Sequence, residues 1–205
     1  MDGGSPLIGV LALQGAFAAH RRRLAELGVA SRDVRQPRDL IGLDGLVMPG
    51  GESTTMSNLL TSSGLFDEIG ARITDGLPVF GTCAGLILLA SEVHDGRPDQ
   101  RSFRALNVAV QRNGYGRQLD SFETDLDVVG LGDEPFHGVF IRAPRVESAG
   151  PSVEVLAEHR GDPVLVRQGR IMAAVFHPEL TPDHRLHARF VDLVVVGHDH
   201  NTQEA

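Results

Sequence analysis

Apolar residues gather in short runs along the first half of the chain, each stopped by a glycine-containing turn. Leu7–Leu13 is a continuous apolar run ended by Gln14-Gly15, the pattern of a strand buried on both faces. Residues 16–27 read as an amphipathic helix, with Phe17, Leu24 and Leu27 on one side and Arg21, Arg22 and Arg23 largely on the other, closed by Gly28. Gly45–Met48 is a second apolar run, halted by Pro49-Gly50-Gly51, with Ser53 or Thr54 placed to cap a following helix. Leu77–Phe80 is a third, halted by Gly81 and followed by a helix-like Leu86–Ala90. Strands alternating with helices predict a parallel sheet covered on both faces.

The second half has a different rhythm. Turn signals crowd between Asn107 and Val175, among them Asn113-Gly114, Glu134-Pro135, Gly150-Pro151 and Gly161-Asp162-Pro163. Short β-rich runs lie between them (Val108–Val110, Val139–Ile141, Val153–Leu156, Val164–Val166, Ile171–Phe176), which predicts an antiparallel or mixed extension of the sheet. Thr181–Val196 reads as a last helix. The expected organisation is one domain over 1–205, with a core over about 7–196 and a frayed tail over 197–205.

Composition narrows the chemistry. With 27 acidic and 19 basic residues the net charge is −8, which argues against nucleic acid as the ligand. No apolar stretch reaches the roughly 18–20 residues needed to span a bilayer, so no membrane role is expected. Ala16-Phe17-Ala18 has the look of a signal-peptidase site. However, Asp2 and no positive charge precede it and Gln14 interrupts the apolar run, so the expectation is a cytoplasmic chain. Every basic residue is arginine. Without lysine there is no Schiff base, no lysine general base and no Walker-type phosphate lysine. A single cysteine, Cys83, cannot form an internal disulfide and fits a reducing compartment.

That cysteine sits in Gly81-Thr82-Cys83-Ala84-Gly85, between an apolar strand and a helix. This is the form of a nucleophile elbow with sulfur in place of a serine oxygen. A sharp turn strains the central residue and leaves no room for side chains two positions away, hence the glycines. It also sets the thiol at a helix N-terminus and aims the Ala84 amide at a developing oxyanion. An isolated cysteine would be read as core; in this frame it reads as a nucleophile. A cysteine nucleophile needs a base, and His177-Pro178-Glu179 follows the apolar run Ile171–Phe176, at a strand's carboxyl end where α/β sheets bind ligands. Pro178 biases His177 toward extended backbone, from which Glu179 at i+2 can reach the imidazole. Read alone, the tripeptide would be an ordinary surface turn. His184 and His187 at i, i+3, and His198 and His200 in the tail, lack the ligand set of a metal site, and no metal or cofactor is expected. Gly50-Gly51 opens the backbone to a ligand, either as a phosphate cradle without its lysine or as a second oxyanion donor. The latter fits a shared sheet edge with Cys83 better.

Taken in order, GVLALQGAF, PGGESTTM, FGTCAGLILLA, RNGYGRQLDSFE, FIRAP and FHPELTPDHR make the sequence resemble the class I (triad) glutamine amidotransferases, and within them the glutaminase subunits of pyridoxal 5′-phosphate synthase. The resemblance runs from about Ile8 to Val191. It implies a flavodoxin-like three-layer α/β fold with a mostly parallel central sheet, and a catalytic triad of Cys83, His177 and Glu179. It implies L-glutamine held by Gly51, Glu52, Ser53, Arg112, Ile141 and Arg142, and an oxyanion hole of Gly50, Gly51 and Ala84. It also implies a partner: the lyase subunit, a barrel protein in dodecameric rings that takes up the released ammonia. Two glycines in a row permit a peptide flip, so an oxyanion hole that forms when the partner docks near Gln14 is expected. Two departures stand out: a long, charged 92–104 segment whose conformation the pattern leaves open, and Gly114-Tyr115 where Ser-Phe is commoner. Rival classes are stress-response or glyoxalase proteins, which also carry an elbow cysteine but lean on a nearby glutamate, and a non-catalytic scaffold that has kept the fold.

Overall fold

The computed structural model describes residues 5–112, 114 and 121–201, with side chains to residue 196. The first half runs β1 (Leu7–Leu11), α1 (Phe17–Glu26), β2 (Ala30–Val34), β3 (Gly45–Met48), α2 (Ser53–Ser62), α3 (Leu65–Thr74), β4 (Val79–Thr82), α4 (Ala84–Leu89) and β5 (Ala90–His94). The second half adds β6 (Leu106–Gln111), β7 (Ser121–Leu126), β8 (Phe136–Ile141), β9 (Arg145–Ala149), β10 (Glu154–His159), β11 (Asp162–Gln168), β12 (Ile171–Ala174) and α5 (Arg185–Asn201).

Seven strands form the main sheet in the order β10-β11-β12-β4-β3-β1-β2. The five from β12 to β2 are parallel, and β11 and β10 join antiparallel. Every residue of β3, β4 and β12 is buried, as the continuous apolar runs require of strands covered on both faces. One helical group pairs α1 with α5, and another packs α2 against α3 and α4. The polarity of the sheet matters most. Parallel neighbours end on the same edge, so the carboxyl ends of β1, β3, β4 and β12 deliver Gln14, Gly50-Gly51, Cys83 and His177 to one place.

The second half departs from expectation. Of its strands, β12 lies inside the main sheet parallel to β4 and β11 and β10 extend it antiparallel, while β6 and β9 join β5 in one small sheet and β7 and β8 form another. The last helix begins at Arg185 rather than Thr181. Pro178–Leu180 forms a 3₁₀ turn, and Asp183 accepts hydrogen bonds from the Arg185 backbone and guanidinium at 2.9 Å, organising the entry. At the other end α5 continues to Asn201, past Gly197. The 92–104 segment folds back on the α2–α3 pair. Arg101 N–H donates to Ser57 Oγ at 2.8 Å, its guanidinium lies 3.8 Å over the Phe66 ring, and Phe66 stacks on Phe103. Of the Gly114-Tyr115 departure, Tyr115 lies outside the described residues, as do Asn113 and most of RNGYGRQLDSFE.

Candidate active site

Cys83 occupies the turn between β4 and α4 with φ 48° and ψ −103°, a left-handed conformation that costs a non-glycine residue energy. Its neighbours hold it there. The Cys83 amide donates to Ala174 O at 2.8 Å, locking the elbow to β12, and its carbonyl accepts from Ile87 N at 3.2 Å. Both flanking glycines are sterically required. A Cβ on Gly85 would lie 2.0 Å from Met48 O, and one on Gly81 would lie 2.7 Å from Leu89 Cδ1.

His177 is three residues beyond the end of β12, and its N–H donates to Val139 O at 2.8 Å, so β8 braces it from the second half of the chain. Its Nδ1 meets Glu179 Oε1 at 2.8 Å, with both residues buried. The contact is made differently from the expected extended i, i+2 pair. Only His177 is near-extended (φ −110°, ψ 83°), and the turn at Pro178 brings Glu179 back beneath the ring. The imidazole shares one cavity with the Cys83 thiol and interacts with it there. Burial works against a charged ring here. The hydrogen bonds to Cys83 and Glu179, with the charges of those two groups, outweigh it and raise His177 to about 10. Glu179 moves the opposite way: burial pushes its pKa up, but His20 and His177 together hold it below the usual carboxylate value. Gly50 closes over the pair, and a Cβ there would sit 2.3 Å from His177 Cε1 and 3.3 Å from Cys83 Cβ.

These residues open into a cavity of about 420 Å³ lined by Gln14, Gly50, Gly51, Glu52, Ser53 and Cys83 on one side and Arg112, Ile141, Arg142 and His177 on the other. Ala84 is fully buried behind the elbow and Glu179 behind His177, so neither side chain lines it. The α2 cap is Glu52 rather than Ser53 or Thr54. Its carboxylate accepts from Thr54 N at 3.0 Å and Thr55 N at 2.6 Å. Burial pushes Glu52 up, but the bonds from Thr55 and Thr54 and the Arg112 charge carry it down to about 2. Arg112, one residue beyond β6, binds Glu52 Oε1 through Nη2 at 2.6 Å, so the two side chains stand together at the cavity wall as one fixed anion–cation pair. Ser53 turns its hydroxyl to Gln100 Oε1 at 3.5 Å. Its N–H, at the first helical position, has no intrahelical partner. Ile141 ends β8 and Arg142 follows with φ 43°, at the mouth. Gln14 Oε1 accepts from Glu52 N at 3.2 Å and ties the end of β1 to the glycine turn.

Two buried histidines lie behind the triad, one absent from the motif reading and one set aside there as half of an i, i+3 pair. His20 on α1 and His187 on α5 are both fully buried, and His20 lies 3.4 Å from Glu179 Oε2. The signal was present: Phe17, His20 and Leu24 form the inward i, i+3, i+7 stripe of α1. His187 does not act with His184, which is exposed. The side chains of His198 and His200 lie outside the described residues.

A model of the SNO glutamine amidotransferase family matches residues 10–196. Similar curated proteins include pyridoxal 5′-phosphate synthase subunit PdxT of Mycobacteroides abscessus, 55% identical over 94% of this chain and 100% of that protein. PdxT of Streptomyces avermitilis is 52% identical over 93% of this chain and 94% of its own length. Among solved structures, one described as a glutamine amidotransferase is 50% identical with a TM-score of 0.86, covering 91% of this chain and 98% of that one. PurLQS from Thermotoga maritima, at 14% identity and a TM-score of 0.64 over 92% of this chain and 99% of that one, shares the fold.

Proposed function

From the premise that this chain belongs to the SNO glutamine amidotransferase family, we propose that it hydrolyses L-glutamine to glutamate and ammonia through Cys83, His177 and Glu179, as the glutaminase subunit of pyridoxal 5′-phosphate synthase. The observation that carries the reading is the buried line Cys83–His177–Glu179, drawn from adjacent strand ends and opening into a cavity with a fixed carboxylate–guanidinium pair on its wall. Free glutamine carries both an ammonium and a carboxylate, and Glu52 and Arg112 offer one partner to each.

In the proposed reaction His177 takes the thiol proton and sulfur attacks the carboxamide carbon of glutamine. The C–S bond forms and the carbonyl electron pair moves to oxygen, where the Ala84 amide and the Gly50-Gly51 turn hold it. The imidazolium gives its proton to the departing nitrogen, releasing ammonia and leaving a thioester. Water, deprotonated by His177, attacks the thioester, and glutamate leaves as the thiol is restored. Ammonia passes to the lyase subunit. On this reading that partner is a barrel protein in dodecameric rings, and its lysine Schiff-base chemistry is something a chain without lysine does not supply. The cytoplasm is the proposed compartment; among the described residues no helix is long and apolar enough to cross a membrane.

The test is glutamine-dependent ammonia release with and without the lyase subunit. We expect activity in the complex, little in the isolated chain, and loss of about 10⁴-fold or more in Cys83→Ala with its fold intact. Full activity of Cys83→Ala in the complex would end the assignment. Labelling of Cys83 by a glutamine-mimicking diazoketone, blocked by glutamine, separates this reading from the stress-response and glyoxalase class.

A further inference from the structure

The carboxylate behind His177 uses one oxygen on the imidazole. Its second oxygen, Glu179 Oε2, is buried and has no hydrogen-bond partner among the described residues. The polar atom facing it is His20 Nε2 at 3.4 Å, which also lies 3.2 Å from Thr82 Oγ1 on the strand that carries the elbow. On its other edge His20 Nδ1 is 2.9 Å from His187 Nε2 of α5. His187 Nδ1, buried, has no hydrogen-bond partner.

One proton arrangement satisfies this chain of rings. If His187 carried its proton on Nδ1, a buried donor would be orphaned and the His20 Nε2 lone pair would face an anion; both are costly. With the proton on Nε2 of both rings, His187 donates to His20 Nδ1. His20 then donates toward Glu179 Oε2 and Thr82 Oγ1, and only a lone pair is left unpartnered.

We infer that His20 is a positioning residue of the glutaminase site: its Nε2–H anchors the outer oxygen of Glu179, so that the inner oxygen stays aimed at His177, and His187 fixes the His20 ring. The inference rests on the glutaminase reading and extends the triad by two rings from opposite ends of the chain. The charges around the relay agree with neutral rings. Burial lowers His20, with Glu179 opposing and His177 adding to the effect. Burial also lowers His187, reinforced by His20, Arg23 and His184.

The experiment uses the complex with the lyase subunit and compares His20→Gln, whose amide reaches the place of Nε2, with His20→Asn, which reaches only that of Nδ1; His20→Leu removes both. Because Cys83 is the single thiol, the pH dependence of its alkylation by iodoacetamide reads the Cys83–His177 pair directly. For Asn and Leu we expect kcat to fall about 10- to 100-fold, KM to stay within about twofold, and the alkylation profile to shift along the pH axis; Gln restores all three toward wild type. If Asn matches Gln in kcat and alkylation profile, or if the variants lose only melting temperature, the inference is overturned. If the wild-type complex itself releases no ammonia, it is the glutaminase reading that has failed.

Discussion

Two histidines in this molecule are each held by acidic side chains. His177 lies buried with Glu179 at 2.8 Å. His137, on β8, is half exposed and takes Asp125 on Nδ1 at 2.9 Å and Glu123 on Nε2 at 2.8 Å, both from β7 across the hairpin. Both imidazoles are raised. His137 is raised by the hydrogen bonds its ring donates to Asp125 and then to Glu123, while His177 reaches about 10 against the pull of burial. By the number of carboxylates His137 is the better-supported base, but both of its ring nitrogens are occupied by acceptors, so none is left to exchange a proton with a substrate. His177 spends one nitrogen on its carboxylate and turns the other to sulfur. A carboxylate makes a histidine useful when it occupies one edge of the ring in a place water does not screen.

The largest expected effect tests that difference. Glu179→Gln keeps the shape and removes the charge, and should lower glutaminase kcat in the complex by about 10²-fold or more. The double change Asp125→Asn with Glu123→Gln should leave it within about twofold. Equal losses in the two would erase the distinction.

A middle-sized effect lies in stability against pH. The folded value of His177, about 10, lies above its ordinary 6.5, so its contribution is complete below about pH 6.5 and is lost as pH rises through about 10. Denaturant midpoints of the wild type should therefore fall between pH 7 and 10, and His177→Gln should flatten that fall. The smallest effect belongs to the exposed cluster. Removing the carboxylates of Asp125 and Glu123 should change unfolding free energy by less than about 1 kcal/mol, and by less still in high salt.

What the sequence made legible follows the same division between sheltered and exposed. The runs that became β1, β3, β4 and β12 are apolar throughout because both faces are covered, and the chemistry sits where each run stops. β2, the edge strand Ala30–Val34, buries only Val34 and shows no apolar run, so it passes unnoticed in the sequence although it pairs with β1 along its whole length. The helix α3 buries Leu65, Phe66 and Ile69 after Gly64, a helical spacing that the strand-like apolar runs on either side of it overshadow. Arg112 and Arg142 could not be picked from nineteen arginines by pattern, since their place depends on where β6 and β8 end over the cavity. His20 was hidden by the opposite problem. A polar residue inside an apolar stripe means little until its distant partners, Glu179 and His187, are in view.

The pairing of β4 with β12 carries a last consequence. Thr82 faces Ala174 in the ladder, and nucleophile and base leave the sheet one and three residues later. Spacing across that gap is set by strand separation, about 4.8 Å, and along it by whole residues of about 3.3 Å. The reactive pair therefore cannot drift closer or farther by small degrees as the surrounding sequence changes. A slip of one register would carry the imidazole a full step away and reverse the face it presents, so the distance between sulfur and ring behaves like the teeth of a gear, either meshed or missed.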